Sequence, residues 1–316
     1  MSSSIFRGVA LATLAVSLPL TQVSAHCLVG GRFLPATLAV DDPCVADELS
    51  LPTASWFKTG DTPPANETDI SVEFSKRITE TFGVSVNETW THLRPPGGPN
   101  VTGFRNLEST FKTQFYTNPA HELVMSAGLS VEWGGTGSEA LGSDKFSTLK
   151  PTYYIGKGFG DLPDQFGWVR AFAVTGQVSY SIPANSATIV VDPDTGNTSS
   201  SPNPQFINWG GTLQYSMPFL KSSVADLGLP DFLNHLMPIV EVNLQTPVAN
   251  YAGTGLGTTG TVNPGVIWIG SYFQVGAEAI LPINRGSGTG TGGVVQLHVF
   301  LDDIFPASIG KPLLQP

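Results

Sequence analysis

Five histidines, His26, His92, His121, His235 and His298, set a low ceiling on chemistry in this 316-residue chain. None falls in an HExxH pattern, and no serine stands in G-x-S-x-G, so zinc hydrolysis and elbow-type acyl transfer lack their residues. A lipid-cleaving barrel needs a serine, a histidine and an orienting polar group. His298 lies on a parity that would face a barrel interior, whereas such lipases work at the lipid surface. GKGFG at 156–160 lacks the Lys-Ser/Thr and the helix of a phosphate loop and reads as turn glycines. DPDTGN at 192–197 lacks the distal bidentate glutamate of a calcium loop and reads as a plain loop. The expectation is a non-enzyme with no catalytic residue, no cofactor and no metal.

The two cysteines, Cys27 and Cys44, stand close together near the N-terminus. In an exported protein a disulfide is the favoured state, contributing about 3 kcal/mol by loop closure. Two free or metal-binding thiols are the alternative, with no CxxC and no histidine at ligand spacing beside them. Export is itself expected. Arg7 precedes the apolar run VALATLAVSLPL and the small-residue site Val23-Ser24-Ala25, the signature of a cleaved signal peptide over 1–25. The apolar run is short for a membrane-anchoring helix.

Composition narrows the fold. Fifteen Lys and Arg against 25 Asp and Glu give a net charge of −10, one unit more negative once Arg7 is removed. That excludes a nucleic-acid partner. Hydrophobic residues make up 41% and charged ones 13%, while 35 Gly and 25 Pro punctuate the chain throughout. Beyond the signal no uninterrupted apolar stretch of helix length occurs, so the composition is that of a β protein.

Period-two alternation recurs along the chain. In NLESTFKTQFYTN, Leu107, Phe111 and Phe115 occupy one face and Glu108, Thr110, Lys112 and Gln114 the other. Similar segments span 69–79, 82–93, 123–133, 147–156, 168–182, 207–217, 240–248, 261–270, 272–283 and 294–301, with a weaker one at 48–57. Short connections (79–82, 117–121, 270–272) alternate with long ones rich in Gly, Ser, Thr and Asn (94–104, 134–145, 183–204, 248–260, 284–292). Two junctions on the short side, 157–167 and 218–238, are longer, and the second has room for a helical turn. Short turns on one side and long loops on the other describe an all-β, transmembrane, antiparallel up-and-down barrel of about 12 strands, with periplasmic turns and extracellular loops. A soluble β-sandwich would need its apolar faces to meet each other. Four N-x-[ST] sequons, at Asn66, Asn87, Asn100 and Asn197, count slightly towards that soluble secreted alternative.

Parity then assigns the lumen. Glu73, Arg77, Glu108, Lys112, Gln114, Glu122, Glu132, Lys150, Glu241, Asn243, Gln245, Gln274, Glu278, Gln296 and His298 face inward, making a wet and net acidic interior. The bland alternative is a filled barrel whose polar groups satisfy one another. Arg170 falls on the apolar parity of its strand and is expected to reach the interface. Trp133, Trp168, Trp209, Trp268 and Tyr215 are candidates for aromatic girdles.

Four stretches carry a resemblance: GGRFLPATLAVDDPCVADELSLPT, WGGTLQYSMPFL, TVNPGVIWIG and LHVFLDDIFPASIGKPLL. Together they resemble the MetA-pathway phenol-degradation family of outer-membrane barrels. The resemblance implies a channel or transporter, with aromatic or other hydrophobic compounds as its permeants. One departure concerns the end of the chain: many such barrels finish on an aromatic residue, whereas here DDIFPASIGKPLLQP follows Phe300 and Leu301.

The expected organisation is a signal peptide (1–25), a periplasmic N-terminal segment (26–46), an outer-membrane barrel (47–302) and a periplasmic tail (303–316). The expected function is passive uptake of small molecules across the bacterial outer membrane. Outer-membrane lipid, a small permeant and the barrel assembly machinery are the expected partners. A closed structural or adhesive barrel, and a lipid-modifying barrel enzyme, are the rival readings.

Overall fold

The computed structural model describes residues 27–191, 196–251 and 257–314. The signal segment and most of DPDTGN lie outside the described residues. The strands are β1 (Glu48–Lys58), β2 (Asn66–Arg77), β3 (Phe82–Arg94), β4 (Glu108–Asn118), β5 (Leu123–Glu132) and β6 (Thr148–Gly158). They continue as β7 (Phe172–Pro183), β8 (Gln205–Tyr215), β9 (Leu236–Ala249), β10 (Thr259–Ile269), β11 (Phe273–Pro282) and β12 (Gly292–Phe300). Each pairs antiparallel with its sequence neighbour, and β12 pairs with β1, so the twelve strands close into a ring. A short extra strand, Val101–Phe104, widens β3 at its loop end before β4 takes over the pairing. The weak segment at 48–57 is thus the strand that closes the barrel.

Alternation explains why these segments form a ring. In β4 the outward Phe111 and Phe115 are exposed while Thr110 is buried and Lys112 and Gln114 are half-buried. The same pattern leaves Ile70, Phe74, Leu129, Tyr153 and Leu213 outward and uncovered. In water this skin would cost about 25 cal/mol per Å² of apolar surface; in hydrocarbon it costs nothing. A closed ladder also satisfies the strand backbone internally, as hydrocarbon requires. Among the described residues no helix is long and apolar enough to cross a membrane.

The two ends differ as the sequence implies. One end, the base, carries both described chain ends and the tight turns after β2, β4 and β10. The other carries the long loops, one of which projects a hairpin, Ala187–Val191 with Thr198–Pro202. The two longer base connections hold helical turns. Helix α1 (Met217–Ser223) starts where Ser216 Oγ accepts from Phe219 N at 3.2 Å, and it buries Phe219 and Leu220 against Ala171. Helix α2 (Asp231–Asn234) follows.

One expectation needs correction. Arg170 is in a 3₁₀ turn, 164–171, and β7 begins only at Phe172. Its side chain is tied down by Asp164 and by Gly160 O, so it holds a loop together rather than reaching for the lipid interface. Ahead of the first barrel strand, residues 34–46 thread into the lower half of the ring. The tail beyond Phe300 turns through a short helix, Leu301–Ile304, and folds back so that Leu313 N and Leu314 N bond Arg77 O and Ile78 O.

Candidate functional site: a lumen occupied by its own N-terminus

The N-terminal segment begins as a small hairpin, Leu28–Val29 against Arg32–Phe33, and the Cys27–Cys44 disulfide ties its two ends together. Between them the chain climbs to an apex at residues 37–40 and returns. Glu241 of β9 holds the apex. Its carboxylate accepts from three successive main-chain N–H groups, Leu38 at 2.7 Å, Ala39 at 3.0 Å and Val40 at 2.7 Å. Asn243 Nδ2 donates to Ala39 O at 3.0 Å, and Gln274 donates to Ala36 O. On the opposite wall Lys112 Nζ donates to Asp41 Oδ1 at 2.9 Å and Asp42 O at 2.8 Å, while Ser126 Oγ donates to Pro43 O. The segment therefore bridges the bore from β9 and β11 to β4 and β5. The bonds to Glu241 and from Lys112 are worth about 1.5–3 kcal/mol each and the neutral ones about 0.5–1.5, so the segment is firmly seated.

Glycines make room for it. In β6 the inward parity runs Tyr154, Gly156, Gly158, and Gly160 follows just beyond the strand. A Cβ at Gly156 would lie 2.7 Å from Leu34 and 2.8 Å from Pro43; one at Gly158 would lie 2.0 Å from Glu122 Oε2 and 2.7 Å from Arg32 Nε. On other walls Gly276 clears Leu38 and Gly83 clears Val45. GKGFG is thus a docking track and only secondarily a turn.

At the base two charged groups fasten the segment's ends. Arg32 is fully buried, donates to Glu122 Oε2 at 3.1 Å and to the carbonyls of Ala171 (3.1 Å) and Arg170 (2.5 Å), and stacks 3.7 Å over the Phe219 ring. Burial pulls its guanidinium below the ordinary value, and the Glu122 carboxylate opposes that pull. Asp47 bonds Arg77 Nε at 2.8 Å and Lys76 Nζ at 2.5 Å, and Arg77 also donates to Gly310 O at 3.1 Å. Glu122 and Arg77 are therefore rim residues, Glu122 in a left-handed turn (φ 46°) and Arg77 at the last position of β2. Gln114 donates to Thr117 Oγ1 at 2.7 Å near the same end.

Above the segment the bore opens into a polar chamber of about 610 Å³. Lys150 lies on its wall between Glu108 (2.6 Å) and Glu132 (3.4 Å). The facing wall is amide and hydroxyl: Gln245 donates to Asn208 Oδ1 at 3.0 Å, and Asn208 donates to Ser181 Oγ at 2.7 Å. A second recess of about 330 Å³ beside the apex has a mixed wall, with Leu38, Phe57, Ile280 and Val294 on it beside Asp69 and Asn263. Glu73 borders the polar chamber and the crevice beside the segment.

The remaining inward residues are structural in their contacts. Glu278 is buried and leans over Gly265, where a Cβ would come within 2.4 Å of its Cγ, towards Glu241 and Asn263. Gln296 donates to Thr53 Oγ1 at 3.0 Å. His298 sits between Ser50 Oγ (2.8 Å) and Glu48 Oε2 (2.9 Å), a hydroxyl–imidazole–carboxylate chain on the seam where β1 meets β12. The Cys27–Asp42–Cys44 cluster offers no thiol for a metal, because both sulfurs are in the disulfide. Burial, with Glu48 and Asp41 close by, pushes the Asp42 carboxyl up to about 7 against the pull of Lys112 and the Cys44 N–H.

What sequence reasoning missed is the segment's side of these contacts: Arg32, Leu38 to Val40, Asp41 and Asp42. The available signal was glycine at inward parity, since a strand that leaves its inner face bare at 156 and 158 is making space for another backbone.

No family model matches the sequence, and no curated protein matches it. Among solved structures, the KdgM porin aligns over 79% of this chain and 98% of its own at 11% identity, with a TM-score of 0.46. The NanC porin covers the same shares at 9% identity and 0.45, and an outer-membrane channel from Pseudomonas putida F1 covers 85% and 99% at 11% and 0.49. At such identities the likeness is one of barrel architecture.

Proposed function

We propose that this chain is an outer-membrane channel for passive uptake of small molecules, narrowed by its own N-terminal segment. The observation that carries this is the polar chamber of about 610 Å³ inside a closed ring whose outer face is apolar. Lipid outside and water inside fit that contrast. In this reading the base faces the periplasm, residues 1–25 direct export, and the assembly machinery inserts the barrel. Aromatic or other hydrophobic permeants, the class that the family resemblance implies, find support in the apolar side of the recess of about 330 Å³ next to the apex, where Leu38, Phe57 and Ile280 line it.

A closed structural barrel is the second reading, favoured by the segment across the bore. The enzyme reading has the Ser50–His298–Glu48 chain in its favour, yet that chain faces the interior, where a bilayer lipid has no access. Planar-bilayer recordings of the intact protein and of a variant lacking residues 27–46 test the proposal. Discrete conductance that rises on deletion supports a narrowed channel. Silence in both supports the structural barrel.

A further inference from the structure

Beside the N-terminal segment the cavities inside the bore are neighbours that share wall residues. The upper chamber and a crevice of about 210 Å³ share Ala39, Asp41 and Glu73 on their walls. That crevice in turn shares Asp41, Asp42, Glu48 and Glu73 with a neck of about 40 Å³, which reaches Ala46 and Lys76 at the base. Glu73 is common to all three. We propose that small monovalent cations pass through this side route while the segment stays seated, and that Glu73 sets their selection. This rests on the channel reading above and adds a route and a filter for ions; an organic permeant would need the segment to move aside.

Size limits the permeant. A neck of about 40 Å³ is by far the smallest of these cavities, with room for a few waters, so it suits a partly hydrated ion better than an organic solute. Charge selects the sign. The lysines along the route are already committed, Lys112 to Asp41 and Asp42 and Lys76 to Asp47, and His298 lies 2.9 Å from Glu48. Glu73 makes no ion pair among the described residues, and its hydrogen-bond partner is a neutral hydroxyl, Ser75 Oγ, at 3.3 Å. An independent feature of the crevice points the same way. Gln296 is 7% exposed and lines it, its Nε2 is bonded to Thr53, and its buried Oε1 has no partner, which leaves an acceptor for a cation. Carboxylate and carbonyl oxygens at a constriction are how pores favour cations.

The test is a zero-current potential in a potassium chloride gradient across planar bilayers, on the full-length protein. The wild type should favour potassium over chloride. Glu73→Gln should lower that permeability ratio by about twofold or more, and Glu73→Lys should invert it. Glu139→Gln, in an exposed loop pair with Lys145, should leave it unchanged. A second arm pins the segment by joining Ala39→Cys to Asn243→Cys with a short thiol crosslinker, the native bridge staying intact. Cation conductance that persists when pinned and still depends on Glu73 supports the side route. Conductance that vanishes when pinned and returns on release of the crosslink overturns the side route and leaves the channel reading standing. Silence in every state removes both.

Discussion

Glu241 accepts the N–H of Val40 at 2.7 Å, and with it those of Leu38 and Ala39, so one carboxylate from the wall of the ring anchors the apex of the segment that crosses it. Glu241→Gln keeps the shape and removes the charge. Losing about 2 kcal/mol from charge-assisted bonds shifts the seated segment about 30-fold towards release. A nitroxide on Ala39→Cys should show a mobile fraction in this variant, and the channel conductance should rise. An unchanged spectrum would mean that Glu241 is not the anchor.

The glycine track gives a steric counterpart. Gly158→Ala places a methyl within 2.0 Å of Glu122 Oε2 and 2.7 Å of Arg32 Nε. Overpacking of this kind costs about 1–3 kcal/mol, borne by the Arg32–Glu122 bridge because β6 is fixed in the ladder. Trypsin should then cut after Arg32, which is fully buried in the seated segment, while the barrel keeps its heat-dependent gel mobility. Resistance equal to that of the wild type would refute the track.

The ring was legible in the sequence because its cause is local. Alternation such as that of Phe111 and Phe115 against Lys112 and Gln114 names a face without reference to any other strand. The segment was not legible, because its cause is distant: Lys112 answers to Asp41 and Glu241 to Leu38–Val40 across the bore. Parity placed Glu241 inward but carried no information on whether water or backbone would meet it. For the same reason Glu122, which parity put on the lumen wall, lies in a rim turn, fixed there by Arg32, about 90 residues earlier in the chain. Arg170 was misplaced because WVRAFAV alternates as a strand does, while Gly167, at φ 47°, breaks the extended chain just before it.

Acidity should tighten the segment. Asp42 faces Lys112 from β4, Glu48 from β1, and Asp41 and the Cys44 N–H from its own segment, and its carboxyl is raised to about 7. A released segment would return it to the ordinary range near 4. The seated state therefore holds the proton more tightly, so seating is strongest below about pH 4, weakens as pH rises to 7, and is level beyond. The nitroxide on Ala39→Cys should become more mobile over that window, and Asp42→Asn should flatten the response. A response that survives Asp42→Asn would assign it to another group.

The Cys27–Cys44 bridge closes the segment into a loop across a separation of 17 residues. Thiol labelling of the denatured, unreduced protein should find no free cysteine. Replacing both with serine removes about 3 kcal/mol of loop-closure stabilisation. The nitroxide should loosen, while the strand ladder, which closes through β12 and β1 without the bridge, should melt at an unchanged temperature. A large drop in barrel melting temperature would show that the segment is part of the folding core.

The last prediction separates the two faces of β4. Glu108 lies on the wall of the wide upper chamber, 2.6 Å from Lys150, and Phe111 is outward and exposed. Glu108→Lys adds positive charge to the chamber and strands Lys150 beside it, so the zero-current potential should move towards anions. The shift should be smaller than for Glu73→Lys, since a wide chamber lets salt screen the charge over about 8–10 Å and a narrow crevice does not. Phe111→Ser changes only the apolar skin; it should slow insertion into bilayers and leave selectivity alone. If Phe111→Ser alters selectivity while Glu108→Lys does not, the faces of β4 are inverted, and with them the assignment of every inward residue in the ring.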